Sequence, residues 1–301
     1  MRWTADESIP DAALTMATRA RLDAELVRRG LARSREQARE LVDAGVVKVN
    51  GTVAAKAATG VTRDTPIVVV EAPKDDWASR GAHKLLGALE AFEPQGLTLA
   101  GRRCLDAGAS TGGFTDVLLR REVREVVAVD VGYGQLIWRL QNDDRVHVYD
   151  RTNVRHLEPE QIGGQVDVVV ADLSFISLGL VLPAFARCAV PGADLLPMVK
   201  PQFEVGKDRV GAGGVVRDPE LRAEAVLGVA TEAAALGLET RGVVASPLPG
   251  PSGNVEYFLW LRNEPDGRTG EESGESDRVD RAGSSDELRS MIERAVAEGP
   301  R

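Results

Sequence analysis

The sequence of 301 residues has only two cysteines, three histidines and 4% aromatic residues. Cys104 and Cys188 stand far apart, without a C-x-x-C pair or histidines at metal-ligand spacing, so neither a disulfide framework nor a zinc site is suggested. No metal is expected, and a reducing cytoplasm is the compartment that fits. Long apolar runs are missing as well: none approaches the roughly 18 residues of a spanning helix, and MRWTADESIPDAAL at the start has no apolar leader core. Neither export nor membrane spanning is expected. What is present is ordinary for a globular chain, 43% hydrophobic and 28% charged, with length for one large domain and a smaller one.

The net charge of −9 would argue against a nucleic-acid partner, but the charge is unevenly placed. Arg19 to Arg63 carries ten basic residues against five acidic, and Asn263 to Arg301 carries six against eleven. The basic front end, residues 19–72, reads as a small α+β domain. RLDAELVRRGLA puts Leu22, Leu26 and Val27 on one helical face. Ser34 and Gln37 form a capping box before Ala38, Leu41 and Val42, Asn50-Gly51 marks a hairpin, and Pro66 leads a further strand. Arg28, Arg29, Arg33, Arg35 and Arg39 crowd the first helix end, the turn and the second helix, with Arg21 and Lys48 flanking them. An isolated charge run is ordinarily a solvated face, whereas this crowding predicts one surface able to grip phosphates. The pattern resembles the alpha-L RNA-binding motif of the fourth small-subunit ribosomal protein, which implies RNA binding by these seven residues.

Residues 1–18 read as a flexible terminus and 73–82 as a linker. From 83 to 262 apolar runs alternate with helical stretches: RRCLDAG, EVVAVD, VHVYD, VDVVVAD and DLLPMVK, then RGVVASPL and VEYFLWLR. Continuous apolar strands separated by helices predict a doubly wound, mostly parallel, Rossmann-like α/β sheet of seven strands. The acidic tail, 263–301, is expected to be largely disordered, apart from one short amphipathic helix through Leu288, Met291, Ile292, Ala295 and Val296.

LDAGASTGGF, residues 105–114, can be read in two ways. Gly108 to Gly112 matches the G-x-S-x-G turn that carries a hydrolase serine, yet a hydrolase of that type needs a late histidine, and none follows His156. As a cofactor cradle, the glycines allow tight turning and close backbone approach, and Asp130 ends the next strand at the distance expected of a ribose-binding carboxylate. Ser110 replaces the second glycine of a dinucleotide fingerprint, which favours the phosphate-free ligand S-adenosyl-L-methionine. The candidate cofactor residues are Asp106, Gly108, Ala109, Ser110, Thr111, Gly112, Gly113, Phe114, Asp130 and Asp172.

The carboxyl ends of the predicted strands carry Gly108, Asp130, Asp172 and Lys200 in succession. A lysine after LLPMV needs an acidic partner or a chemical task, and an Asp172–Lys200 pair of purely structural purpose is one reading. SRGAHKL, LDAGASTGGF, VVADLSF, LLPMVKPQFEVG and GPSGNVEYF together resemble the TlyA family of ribosomal RNA methyltransferases, a branch of the FtsJ-like 2′-O-methyltransferases, over residues 19 to 262. The resemblance implies a class I methyltransferase whose Lys-Asp-Lys-Glu tetrad corresponds to Lys84, Asp172, Lys200 and Glu256. It implies cytidine targets in ribosomal RNA of both subunits and, through them, sensitivity to cyclic peptide antibiotics. A ribose 2′-hydroxyl is a weak acid, so its methylation needs an oriented oxygen and a proton acceptor. Lys200 is expected in that role, Asp172 and Glu256 orient, and Lys84 supports. DLSF lacks the proline pair usual in methylases of planar base nitrogens, which favours an oxygen target. Phe175 or Phe203 could stack on a splayed base. Two other functions remain: a membrane-active haemolysin, a name the TlyA family also carries, acting through the tail helix; and a non-catalytic ribosome-binding factor.

Overall fold

The structure, a computed structural model, describes residues 19–43, 45–70, 77–211, 213–264 and 275–300, the stretch 275–285 by its backbone alone. The expected flexible terminus, 1–18, lies outside the described residues. Two compact units divide at Asp76 and Trp77.

In the first unit, β1 (Ala20–Arg21) leads into α1 (Leu22–Arg28) and α2 (Arg35–Asp43). The hairpin β2 (Val47–Val49) and β3 (Thr52–Val53) follows, then β4 (Gly60–Val61) and β5 (Ile67–Val69). β1 pairs with β4, and β2 lies between β3 and β5. Leu22, Leu26, Ala38, Val42, Val47 and Val61 form the core. Both hairpin residues, Asn50 and Gly51, have positive φ (51° and 82°), as the short turn requires. Ser34 Oγ accepts from Gln37 N–H at 3.1 Å, while Gln37 Oε1 accepts from Arg33 N–H at 2.7 Å, so the capping box reaches one residue further back than expected.

The second unit starts with Trp77, packed on its core, so residues 77–82 of the expected linker belong to it. Its elements are α3 (Gly81–Phe92), β6 (Arg103–Ala107), α4 (Gly113–Arg120), β7 (Glu125–Val129), α5 (Trp138–Gln141) and β8 (Val146–Tyr149). β9 (Val166–Ala171), α6 (Leu182–Cys188), β10 (Ala189–Val199), α7 (Pro201–Glu204) and α8 (Pro219–Ala234) follow, then β11 (Leu238–Ala245), β12 (Tyr257–Asn263) and α9 (Glu275–Glu298). The seven-stranded sheet has the order β11-β12-β10-β9-β6-β7-β8. The five strands from β10 to β8 are parallel, and β12 pairs antiparallel with both β10 and β11. Each face is covered by its own apolar cluster, which explains why the central strands are apolar throughout.

The tail departs from expectation. Instead of one short helix in a disordered segment, α9 runs for 24 residues, and Ile292 and Ala295 are buried in the core cluster beside α8 and β11. Charge-rich composition suggested disorder, but five apolar residues at helical spacing suffice to dock the last turns. That face is covered by protein, which leaves it unavailable to a lipid surface, and no helix among the described residues is long and apolar enough to cross a membrane. Ile292→Ala is accordingly expected to destabilise the chain by about 2–4 kcal/mol, read from urea unfolding. An unchanged midpoint would mean that α9 does not dock.

Candidate active site

Four remote segments bring their side chains to the carboxyl edge of the sheet. Asp172 and Lys200 follow the parallel neighbours β9 and β10. Because β12 runs antiparallel, Tyr257 pairs with Val199 and Glu256 stands at the same edge. Lys84 comes from the buried face of α3 that also carries Leu85, Ala88 and Leu89. Lys84 Nζ lies 2.7 Å from Glu256 Oε2 and 3.4 Å from Asp172 Oδ2. Lys200 Nζ lies 2.6 Å from Asp172 Oδ1 and 3.9 Å from Glu256 Oε1, and donates to Ser174 Oγ at 3.0 Å.

Two ammonium-bearing and two carboxylate-bearing chains thus compensate one another, which makes their burial tolerable. Lys84, Lys200 and Glu256 are buried, whereas the Asp172 side chain keeps 21% exposure and marks the open side of the ring. Burial alone would raise the Asp172 pKa; the charges of Lys84 and Lys200 outweigh it and hold the group below the ordinary carboxylate range. Asp172 is therefore an anion at neutral pH.

The loops around this ring are tied together by a residue that sequence reasoning missed. Glu204 at the end of α7 accepts from Ser177 Oγ at 2.6 Å and from Leu178 N–H at 2.9 Å, joining the loop after Asp172 to the helix after Lys200. No local signal distinguishes this glutamate from a surface one. Between the two loops, Phe175 is 90% exposed with φ +65°, its ring 5.4 Å from that of Phe203.

The turn after β6 divides the expected cofactor residues. Gly108, Ser110 and Thr111 line the rim while Ala109 between them is buried in the core cluster, and Asp130 stands beside the turn: Ser110 N–H donates to its Oδ2 at 2.8 Å and Gly132 N–H to its Oδ1 at 2.6 Å. A carboxylate fixed in this way retains lone pairs for a pair of hydroxyls. The other four expected residues face inward. Close approach at Gly112 is to Leu136 and Leu140, and at Gly113 to Ser79 and Ala82, where an added Cβ would come within 3 Å of protein atoms. Phe114 packs 6.0 Å from Phe258 in the core. Even at Gly108, φ +84°, the space for a Cβ is taken by the Asp172 carbonyl oxygen at 2.8 Å. The glycines therefore bring protein segments together, a purpose that the spacing alone does not distinguish from ligand approach.

Asp106 is buried beneath the turn and accepts from Thr115 Oγ1 at 2.7 Å. Burial pushes its pKa up from 3.8 to about 7, with the Thr115 bonds opposing and the nearby Asp172 and Asp130 assisting. A raised acid pKa means that the folded state holds the proton longer than the unfolded state. Its contribution is most favourable at low pH and is lost as pH rises from about 3.8 to about 7, costing on the order of 4 kcal/mol in all. Asp106→Asn removes that titration. Its stability relative to the parent is expected to improve between pH 5 and pH 8 in urea unfolding; parallel pH profiles would show that Asp106 does not titrate there.

In the first unit the seven basic residues are placed unequally. Arg21 and Arg35 donate to Asp23, and Arg39 Nε lies 3.6 Å from it. Arg28 and Arg29 donate to Glu25. Arg29 also bonds the carbonyls of Thr62, Arg63 and Thr65, and its side chain is only 20% exposed, so it braces the fold and stands apart from the exposed group. Arg33 is exposed beside Gln37, and Lys48 is half-buried in the middle of β2.

An open α/β sheet whose switch-point turn meets a Lys-Asp-Lys-Glu ring defines the second unit as a methyltransferase of the FtsJ-like class: residues 77–263 match the FtsJ-like methyltransferase family, and residues 20–67 match the S4 domain. The Mycobacterium tuberculosis protein named 16S/23S rRNA (cytidine-2′-O)-methyltransferase TlyA is 61% identical over 95% of this chain and 100% of its own length. Hemolysin A of Brachyspira hyodysenteriae is 34% identical, covering 79% of this chain and 98% of its own. A solved structure of a hemolysin-named protein from Streptococcus thermophilus aligns with a TM-score of 0.68 at 33% identity, covering 94% of this chain and 98% of that one. The chain belongs to the TlyA branch of the FtsJ-like methyltransferases.

Proposed function

We propose that this enzyme transfers a methyl group from S-adenosyl-L-methionine to the ribose 2′-hydroxyl of cytidine in ribosomal RNA, in both the small and the large subunit. The observation that carries this reading is the convergence of Lys84, Asp172, Lys200 and Glu256 beside the Gly108 turn. Gly108 to Thr111, Asp130 and Asp172 are the residues that would hold the cofactor, and Ser110 in place of the second glycine of a dinucleotide fingerprint suits a ligand with ribose and adenine but no pyrophosphate. When bound, it supplies an electrophilic methyl carbon on a sulfonium leaving group.

The remaining chemistry belongs to this chain. Asp172 and Glu256 orient the hydroxyl, and Lys200 Nζ, having first released a proton to solvent, accepts that of the hydroxyl as the oxygen bonds to carbon. The new ammonium is stabilised by the Asp172 carboxylate, 2.6 Å away. Lys84 bridges Glu256 and Asp172 and holds both acids in place. In the first unit the exposed arginines grip RNA phosphates, and the substrate locates the enzyme in the cytoplasm with ribosomes.

Incubation with labelled methyl donor and separated ribosomal subunits tests the proposal. Label is expected on cytidine ribose in each subunit. Label on a base, or none on either subunit, overturns it; label on one subunit overturns the dual specificity alone.

A further inference from the structure

The arginines of the first unit are arranged around a carboxylate that solvent does not reach. Asp23 has no exposed surface, although it lies one residue from the surface strand β1. Arg21 grips it with Nε at 3.1 Å and Nη2 at 3.0 Å, and Arg35 Nη2 reaches both oxygens at 3.1–3.2 Å. Arg39 Nε lies 3.6 Å away, and Ala24 N–H donates at 2.8 Å. The three arginines come from a strand, the start of α2 and its second turn, yet each stays about half exposed, at 49%, 54% and 58%. The hydrogen bonds from Arg21, more than any other influence, hold the Asp23 carboxyl well below the usual carboxylate range, so it remains an anion throughout the working pH range.

Three guanidiniums so close would repel and spread into many rotamers without the shared anion. Each has five N–H donors, and Asp23 uses at most two from any one of them, leaving a rigid outward array. Such an array matches phosphate oxygens in pairs and has lost its side-chain freedom before RNA arrives. Arg29 shows the contrast: four of its donors go to Glu25 and three carbonyls, and it faces inward.

We propose that Asp23 is a positioning residue for RNA recognition, a buried acid that fixes Arg21, Arg35 and Arg39 as one phosphate-binding surface. The proposal rests on the reading of this unit as the RNA-gripping part of the enzyme. It has an unusual consequence: removing a negative charge from a surface that binds a polyanion weakens binding.

The test measures the affinity of the full-length chain for purified large ribosomal subunits across a potassium chloride series. Asp23→Asn preserves size and makes the protein more positive, so charge counting predicts tighter binding and a steeper salt dependence. Positioning predicts a Kd raised about tenfold and a flatter salt slope, with kcat at saturating subunits within twofold of the parent. In an Arg35→Ala/Arg39→Ala background the same substitution is expected to add no more than about a twofold loss, because Arg21 alone remains of the three groups that Asp23 positions. Equal or tighter binding by Asp23→Asn overturns the proposal. So does a tenfold loss that persists in the double-arginine background, the result a damaged fold would give. Undiminished binding by Arg35→Ala/Arg39→Ala would instead overturn the reading of this face as an RNA surface.

Discussion

Lys200→Met is expected to reduce kcat for methyl transfer by at least about 1,000-fold, within the range associated with loss of a general base, while the Kd for ribosomal subunits changes less than twofold. Methionine keeps much of the length and removes the amine. The separation of effects follows from position: Lys200 is buried at the sheet edge among Asp172, Glu256 and Ser174, whereas the exposed arginines proposed to grip phosphates belong to the first unit. Lys200→Arg sharpens the assignment, because a guanidinium preserves the charge beside Asp172 but does not give up its proton in proteins. It is expected to be as inactive as the methionine variant. Substantial turnover by the arginine variant would show that the site needs a cation there and no base. Lys84→Met should differ in kind: it leaves Glu256, 1% exposed, with Lys200 3.9 Å away as its remaining cation, so the larger loss is in stability, about 3–5 kcal/mol.

The extent to which such a site is legible in the sequence depends on how local its determinants are. The central strands announce themselves because both faces are covered, so EVVAVD and VDVVVAD are apolar without alternation. Asp172 and Lys200 follow from this, since a charge directly after a buried strand falls at the carboxyl edge. Glu256 does not: its presence there depends on β12 entering antiparallel, which no pattern within VEYFLWLR specifies, and only the family motif pointed to it. The glycine-rich turn was visible, but which neighbour fills each missing Cβ is decided by Leu136, Leu140, Ser79 and Ala82, remote in the chain. Likewise RLDAELVRR displays its arginines plainly while hiding that Asp23 and Glu25 sort them into an exposed group and an inward brace. The tail helix was legible as five spaced apolar residues; its docking surface on α8 and β11 was not.

Phe175→Asn is expected to separate stability from activity in opposite directions. An exposed phenylalanine at φ +65° is unfavourable twice over, once for its apolar surface and once for a left-handed backbone that asparagine tolerates much better. The substitution should therefore leave the unfolding midpoint unchanged or raise it. Activity should fall, because the ring stands one residue beyond Ser174, which accepts from Lys200, and presents a flat apolar face beside Phe203. In the proposed reaction the target nucleotide leaves its stack to bring the ribose to Lys200, and an aromatic face at the mouth of the site offsets part of that cost. Base stacking of this kind corresponds to roughly 10- to 100-fold, expected in kcat/KM for ribosomal subunits. Phe175→Tyr keeps the ring and should retain activity near the parent's. If Phe175→Asn methylates as well as the parent, the strained loop serves only to pass the chain from β9 toward α6; if Phe175→Asn is less stable, the ring is held by Phe203 as part of the fold.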